Sequence, residues 1–140
     1  MTSIIKRKKM TTSSNILGLG IDIIEIERIK DAIEKNGDRF LSRLFSKKEQ
    51  EYCNQLKNDP SIRFAARFCA KEAVAKALGC GFGKELTFLD IEIQNNQKGK
   101  PEVFLSAQAN TRFNNPQLHL SLSHCKLFAN AVVIWENKTH

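Results

Sequence analysis

The spacing of apolar residues changes period several times along the chain, and each change marks an element. From Ile16 to Ile24 apolar residues alternate with glycines, which predicts a buried strand. Gly18 and Gly20 leave room there for close backbone approach. Over residues 25–36, Ile26, Ile29 and Ile33 recur at helical spacing, and Asn36-Gly37 stops the run. Phe40, Leu41, Leu44 and Phe45 form a short helical cluster. Ser46 with Glu49 makes a capping box that starts a helix through about Leu56. Pro60 sits at the start of the next helix, expected from about Ser61 to Leu78 and stopped by Gly79.

The second half favours strands. Thr87–Gln94 reads as a strand, 95–101 as a turn and Glu102–Leu105 as the returning strand of a hairpin. Ser106 caps a helix through about Phe113, whose inner face is Ala109 and Phe113. In Gln117–Ser123, Leu118, Leu120 and Leu122 face one way, with His119, Ser121 and Ser123 on the other side. Ala129–Trp135 is a final strand. Helices and antiparallel pairs segregated in this way predict an α+β fold, a small antiparallel sheet with helices packed on it.

The helix expected over 61–78 is the unusual one. On a helical period Ile62, Ala65, Ala66, Cys69, Ala73 and Ala77 form an apolar arc, with Lys76 inside it and Glu72 at its edge. A charge so placed must be paired, bound to a metal or turned to a polar cavity. Glu72 and Lys76 are four apart and project from the same face, so a structural ion pair accounts for them as well as a site does. Gly79, Gly81 and Gly83 then follow in alternate positions. Such a loop lets backbone N–H groups approach phosphate oxygens. It follows a helix instead of preceding one, so it is neither a Walker loop nor a dinucleotide fingerprint, and a plain helix stop fits it too.

Composition narrows the class. The 140 residues suit one domain, placed at 15–137, and 41% hydrophobic residues supply a core. No apolar run nears the roughly 20 residues of a membrane helix, and the first residues lack the apolar region of a secretory signal. Cys53, Cys69, Cys80 and Cys125 form no C-x-x-C pair, which argues against zinc and against a disulfide framework. Reduced thiols suit a cytoplasmic protein. Of the net charge of +7, four positive charges sit in Lys6-Arg7-Lys8-Lys9, leaving +3 for the rest. Residues 1–14 read as a flexible basic extension, in which Met10 is a second candidate start.

Four residues carry candidate chemistry: Asp22 at a strand end, Glu72 and Lys76 on one helix, and His124 after a strand. Asp22 also suits a turn or a helix cap, and His124 a hydrogen-bonded structural role. Two carboxylates without thiolate partners suit a hard cation such as Mg²⁺, which leaves its other positions to water and substrate phosphates. A nearby lysine meets phosphate as a compact cation. The set describes a site for a magnesium–diphosphate ligand.

These residues also carry a resemblance. Gly20-Ile-Asp-Ile-Ile-Glu-Ile-Glu-Arg28 resembles the opening motif of the holo-acyl-carrier-protein synthases, the small bacterial phosphopantetheinyl transferases. Arg67-Phe-Cys-Ala-Lys-Glu-Ala-Val-Ala-Lys-Ala77, followed by Gly79–Gly83, resembles their central motif, and Ser121-Leu-Ser-His124 their C-terminal one. The likeness spans about Ile16 to Trp135. It implies transfer of 4′-phosphopantetheine from coenzyme A to a serine of apo-acyl carrier protein, in support of fatty acid biosynthesis. Adenosine 3′,5′-bisphosphate would be released. Asp22 and Glu72 would hold Mg²⁺, and Lys76 would contact phosphate. His124, Arg67 and the Gly81–Gly83 backbone would meet the nucleotide end. Arg28 would meet the acidic carrier protein. A homotrimer with sites between subunits is implied as well, with no nucleic acid or membrane partner. The chain departs from the pattern in its extension, in Cys69 where alanine is usual, and in Cys125 where serine or threonine is common.

Two other readings compete. The sequence pI of about 9.4 and the basic arm suit a nucleic-acid-binding module, although no aromatic–basic stripe accompanies them. A metal-dependent phosphohydrolase would use the same carboxylates without a carrier protein.

Overall fold

The structure, a computed structural model, describes residues 14–138. The proposed basic extension, Ser14 apart, lies outside the described residues. The chain runs β1 (Ile16–Glu25), α1 (Ile26–Leu44), α2 (Lys47–Asn54), α3 (Pro60–Leu78), a 3-10 turn (Phe88–Asp90), β2 (Ile91–Asn95), β3 (Pro101–Leu105), α4 (Ala107–Arg112), β4 (Gln117–His124) and β5 (Phe128–Glu136). β1, β5 and β4 form an antiparallel sheet in that order, and β2 and β3 a separate hairpin. This is the α+β arrangement that the residue pattern predicts.

α3 lies at the centre. Asp59 caps its start through Ser61 N, Pro60 occupies its first turn, and Gly79 closes it in a left-handed conformation. The expectation of a single apolar arc is too narrow. Phe64, Ala65, Cys69, Ala70, Ala73, Val74 and Ala75 are all buried, so the helix is enclosed on several sides. Its small residues make this possible, because they let neighbours approach the helix backbone. Lys76, expected within the arc, is instead exposed, with 53% of its side chain accessible.

β1 shows how close the approach is. A Cβ placed on Gly20 would lie 1.9 Å from the carbonyl oxygen of Ala73, and one on Gly18 1.9 Å from that of Ala77. The strand rests directly on the helix backbone. β1 is therefore not the buried strand expected, since only its glycine face is covered. Leu19, Ile21 and Ile23 point the other way and are 63%, 63% and 64% exposed. With period 2, Leu19, Ile21 and Ile23 share the face opposite Gly18 and Gly20.

Two further expectations change in detail. Thr87–Asp90 is not strand, because Asp90 Oδ2 accepts hydrogen bonds from Thr87 N at 2.8 Å and Thr87 Oγ1 at 3.0 Å. Those local bonds wind a 3-10 turn, and β2 starts only at Ile91. At Gly37 the expected stop is a break within α1 (φ 48°, ψ −128°), after which helix resumes to Leu44.

The core also encloses an ion pair. Lys71 Nζ donates to Glu49 Oε1 at 2.7 Å, Leu44 O at 2.6 Å and Phe88 O at 3.0 Å. Glu49 accepts in addition from Ser46 N and from Ile93 N, each at 2.9 Å. Burial pulls the Lys71 pKa down, and the Glu49 carboxylate opposes that. Every ammonium proton is used, which is the condition for tolerating such a pair. The node ties α1, α2, α3, the 3-10 turn and β2 together.

Candidate active site

Gly18 and Gly20 face α3, so Asp22, two residues on, is on the same side of β1. α3 brings Lys76 to it: Lys76 Nζ donates to Asp22 Oδ1 at 3.2 Å and to Ile21 O at 2.9 Å. Glu72 stands one helical turn before Lys76. Burial raises the Glu72 pKa, the charge of Asp22 adds to the rise, and Lys76 tempers it. The two carboxylates thus sense each other. Cys69 packs beneath them, its thiol donating to Ala129 O at 3.4 Å. Burial pushes that thiol well up, and the neighbouring Asp22 carboxylate adds to it, so Cys69 stays a neutral spacer.

This cluster unites Asp22, Glu72 and Lys76 as the sequence suggested. The Lys76–Asp22 pair is half-exposed, and such pairs contribute about 0–1 kcal/mol. Lys76 can therefore leave Asp22 for a ligand at little cost. Two adjoining carboxylates, one of them holding its proton more tightly than usual, fit a divalent cation. Among the described residues no third His, Cys, Asp or Glu completes a protein-only metal cage. A donor set of two carboxylates matches Mg²⁺, which keeps water and phosphate in its other positions.

Arg67 and His124 lie elsewhere. They line a cavity of about 410 Å³ with Tyr52, Arg63, Asn95 and Leu122. Arg67 is 3% exposed. Its Nη2 donates to Asn95 Oδ1, its guanidinium centre lies 4.1 Å from the Tyr52 ring centroid, and its Nε has no partner. Burial pulls the Arg67 pKa down from its usual value. The Arg63 guanidinium is 4.2 Å from the same ring.

Gly83 lines a third space, a cavity of about 670 Å³ between the second half of α1 and the glycine loop. Its walls are Arg39, Phe40 and Arg43 on one side, and Phe82 and Phe88 on the other. Phe82 stacks on Phe88 at 3.8 Å. Gly81, with φ 63°, is exposed and not among the residues of either cavity. Within one chain, then, the glycine loop and His124 do not face the same space. Arg28 is exposed on the first half of α1.

Sequence reasoning missed Tyr52, Arg63 and Asn95. A signal for Arg63 existed: Arg63 and Arg67 are like charges four apart on a helix, an arrangement that normally destabilises.

Known proteins resemble this chain in sequence and in fold. The family model described as the 4′-phosphopantetheinyl transferase superfamily matches residues 18–132. A holo-[acyl-carrier-protein] synthase of Protochlamydia amoebophila is 50% identical over 121 residues, covering 86% of this chain and 98% of that protein. The crystal structure of the Helicobacter pylori holo-[acyl-carrier-protein] synthase in complex with coenzyme A superposes with a TM-score of 0.77. It is 41% identical, and the match covers 84% of this chain and 99% of that one. A Bacillus anthracis holo-(acyl-carrier-protein) synthase in complex with CoA (3′,5′-ADP) gives 0.76 at 41% identity, over 88% and 98% of the two chains. The chain belongs to the 4′-phosphopantetheinyl transferase superfamily, among its holo-[acyl-carrier-protein] synthases.

Proposed function

We propose that this protein transfers 4′-phosphopantetheine from coenzyme A to a serine of apo-acyl carrier protein, releases adenosine 3′,5′-bisphosphate, and depends on Mg²⁺ held by Asp22 and Glu72. The observation that carries the reading is the convergence of Asp22, Glu72 and Lys76 where β1 crosses α3. The serine oxygen forms a bond to the phosphorus bearing the pantetheine arm. The bridging P–O bond breaks, and the bisphosphate leaves with its electron pair. The serine proton passes to the acidic pair through a water. Lys76 offsets the charge on the leaving phosphate, an electrostatic contribution that a preformed site supplies without reorganisation. The bound cation would polarise the diphosphate. Arg67 and His124 take the nucleotide end, with the Gly81–Gly83 backbone as a further contact. Arg28 meets the acidic carrier protein from α1. A role in fatty acid biosynthesis follows from loading that carrier.

Incubation with apo-acyl carrier protein, coenzyme A and Mg²⁺ should add one phosphopantetheine mass to the carrier, and EDTA should stop it. An unchanged carrier mass rules the reaction out. Phosphate release in the absence of carrier points instead to a phosphohydrolase.

We also propose that the working form is a homotrimer with sites between subunits. Two observations support this. The stripe of Leu19, Ile21 and Ile23 is apolar and uncovered in a single chain, and such a patch marks an interaction surface. Within one chain the glycine loop and His124 line different cavities, which a site shared between subunits would bring to one ligand. Sedimentation equilibrium should return the mass of three chains, and a single-chain mass at micromolar concentration refutes the assembly. No described helix is long and apolar enough to cross a membrane.

A further inference from the structure

The cavity of Arg67 and His124 holds a second guanidinium that none of these roles uses. We propose that Arg63 is a specificity-determining residue, which binds the 3′-phosphate of coenzyme A beside Arg67. The assignment rests on the transfer reaction proposed above.

The argument begins with unpaired charge. Arg63 and Arg67 are four apart on α3 and share one face, where like charges repel. Among the described residues the ion pairs are Lys71–Glu49, Lys76–Asp22 and His119–Glu136, so neither arginine is directly paired with a carboxylate, and Glu49 acts on Arg67 only from a distance. Arg67 is nearly enclosed, and a buried cation is costly without a counter-charge. Tyr52 offsets part of this through its π face, with the two guanidiniums 4.2 and 4.1 Å from its centroid. The same contacts hold both planar groups in place.

Free donors remain. Arg63 Nη1 donates to Tyr52 O at 2.8 Å, and its other N–H groups have no protein acceptor among the described residues. Arg67 commits Nη2 to Asn95, which is itself fixed by donating to Gly99 O at 3.0 Å, and leaves Nε unused. Two oriented forks with spare N–H groups suit a tetrahedral oxyanion. Coenzyme A carries two anionic centres, a diphosphate and a 3′-phosphomonoester. The carboxylates of Asp22 and Glu72, with the Lys76 ammonium beside them, suit the diphosphate with its cation. A cavity with two arginines and no paired carboxylate suits the phosphomonoester.

Arg63 also caps a last-turn carbonyl of α2, and a purely structural role would end there. Substrate selectivity separates the two. kcat/KM is measured with coenzyme A and with dephospho-coenzyme A for the parent protein, Arg63→Gln and Arg63→Lys, with melting temperature as the control for folding. Arg63→Gln should cut the preference for coenzyme A about tenfold, equivalent to ~1.4 kcal/mol. Arg63→Lys should restore part of it, keeping charge but losing the fork. An equal loss on both substrates, or no loss on either, overturns the proposal. Calorimetry with adenosine 3′,5′-bisphosphate and AMP gives an arm independent of turnover. Bisphosphate affinity that depends on Arg63 in a protein unable to transfer pantetheine sinks the reaction and keeps the anion site. Affinity for the bisphosphate indifferent to Arg63 sinks the anion site.

Discussion

Glu72→Gln should lower kcat for pantetheine transfer by roughly 100- to 1000-fold, the scale of losing one group aimed at charge that develops in the transition state. The same change should raise the melting temperature of the metal-free protein at neutral pH. Both effects have one cause. Burial and the Asp22 charge raise the Glu72 pKa, so the ionised carboxylate is disfavoured in the fold. A carboxyl with a raised folded pKa binds its proton more tightly folded than unfolded. Stability is therefore lost as pH rises from the ordinary glutamate range through the raised value. Glutamine keeps the shape and removes that loss. The thermal advantage should be present at neutral pH and vanish below the ordinary glutamate pKa. Added Mg²⁺ should stabilise the parent and leave the variant nearly unmoved. Turnover within tenfold of the parent, with saturating Mg²⁺, would remove Glu72 from the chemistry. A variant less stable than the parent at every pH would contradict the electrostatic account.

Gly20→Ala should cost about 3 kcal/mol or more, at or beyond the upper end for overpacking. The added methyl meets the Ala73 carbonyl oxygen at 1.9 Å, with Ala77 N at 2.8 Å and Ala73 C at 2.9 Å. All three are backbone atoms of the central helix, so no rotamer change relieves the contact. β1 must lift off α3, which also carries Asp22 away from Glu72 and Lys76. Gly83→Ala makes a control, because nothing lies within 4 Å of a Cβ there. Its stability should stay within about 0.5 kcal/mol of the parent. Urea midpoints compare the two. A Gly20→Ala midpoint equal to the parent's would mean that the strand and helix are not locked together as described.

Local rules made much of this legible in the sequence. The capping box of Ser46 and Glu49, the Pro60 start, the Gly79 stop and the Leu118–Leu120–Leu122 alternation are each set by residues a few positions apart. Gly18 and Gly20 revealed a close approach because little else explains two glycines inside an apolar strand. Asp22, Glu72 and Lys76 stood out as charges in apolar surroundings. What stayed hidden depends on distant partners. Glu49 looked complete as a helix cap, yet its carboxylate also takes Lys71, 22 residues away, and Ile93 N, 44 away. Lys76 matched the apolar period of α3 but emerges at the sheet edge, which periodicity does not locate. The outward apolar face of β1 was read as buried because a strand pattern does not say how many of its faces are covered. Thr87–Asp90 looked extended until one carboxylate oxygen of Asp90 took two hydrogen bonds from Thr87 and closed it into a turn.

The break in α1 at Gly37 has a consequence for how such a protein can diverge. Each residue added to an unbroken helix turns everything downstream by about 100°. A one-residue insertion would then swing Arg39 and Arg43 away from their cavity, or Arg28 away from its own surface. At Gly37 the chain leaves the helix with a positive φ that favours glycine, and the register begins again. The two halves of α1 are thus joined by a phase-resetting joint. Length changes at Asn36–Gly37 can re-aim Arg28, or Arg39 and Arg43, while the other half of the helix and the core under α3 keep their places.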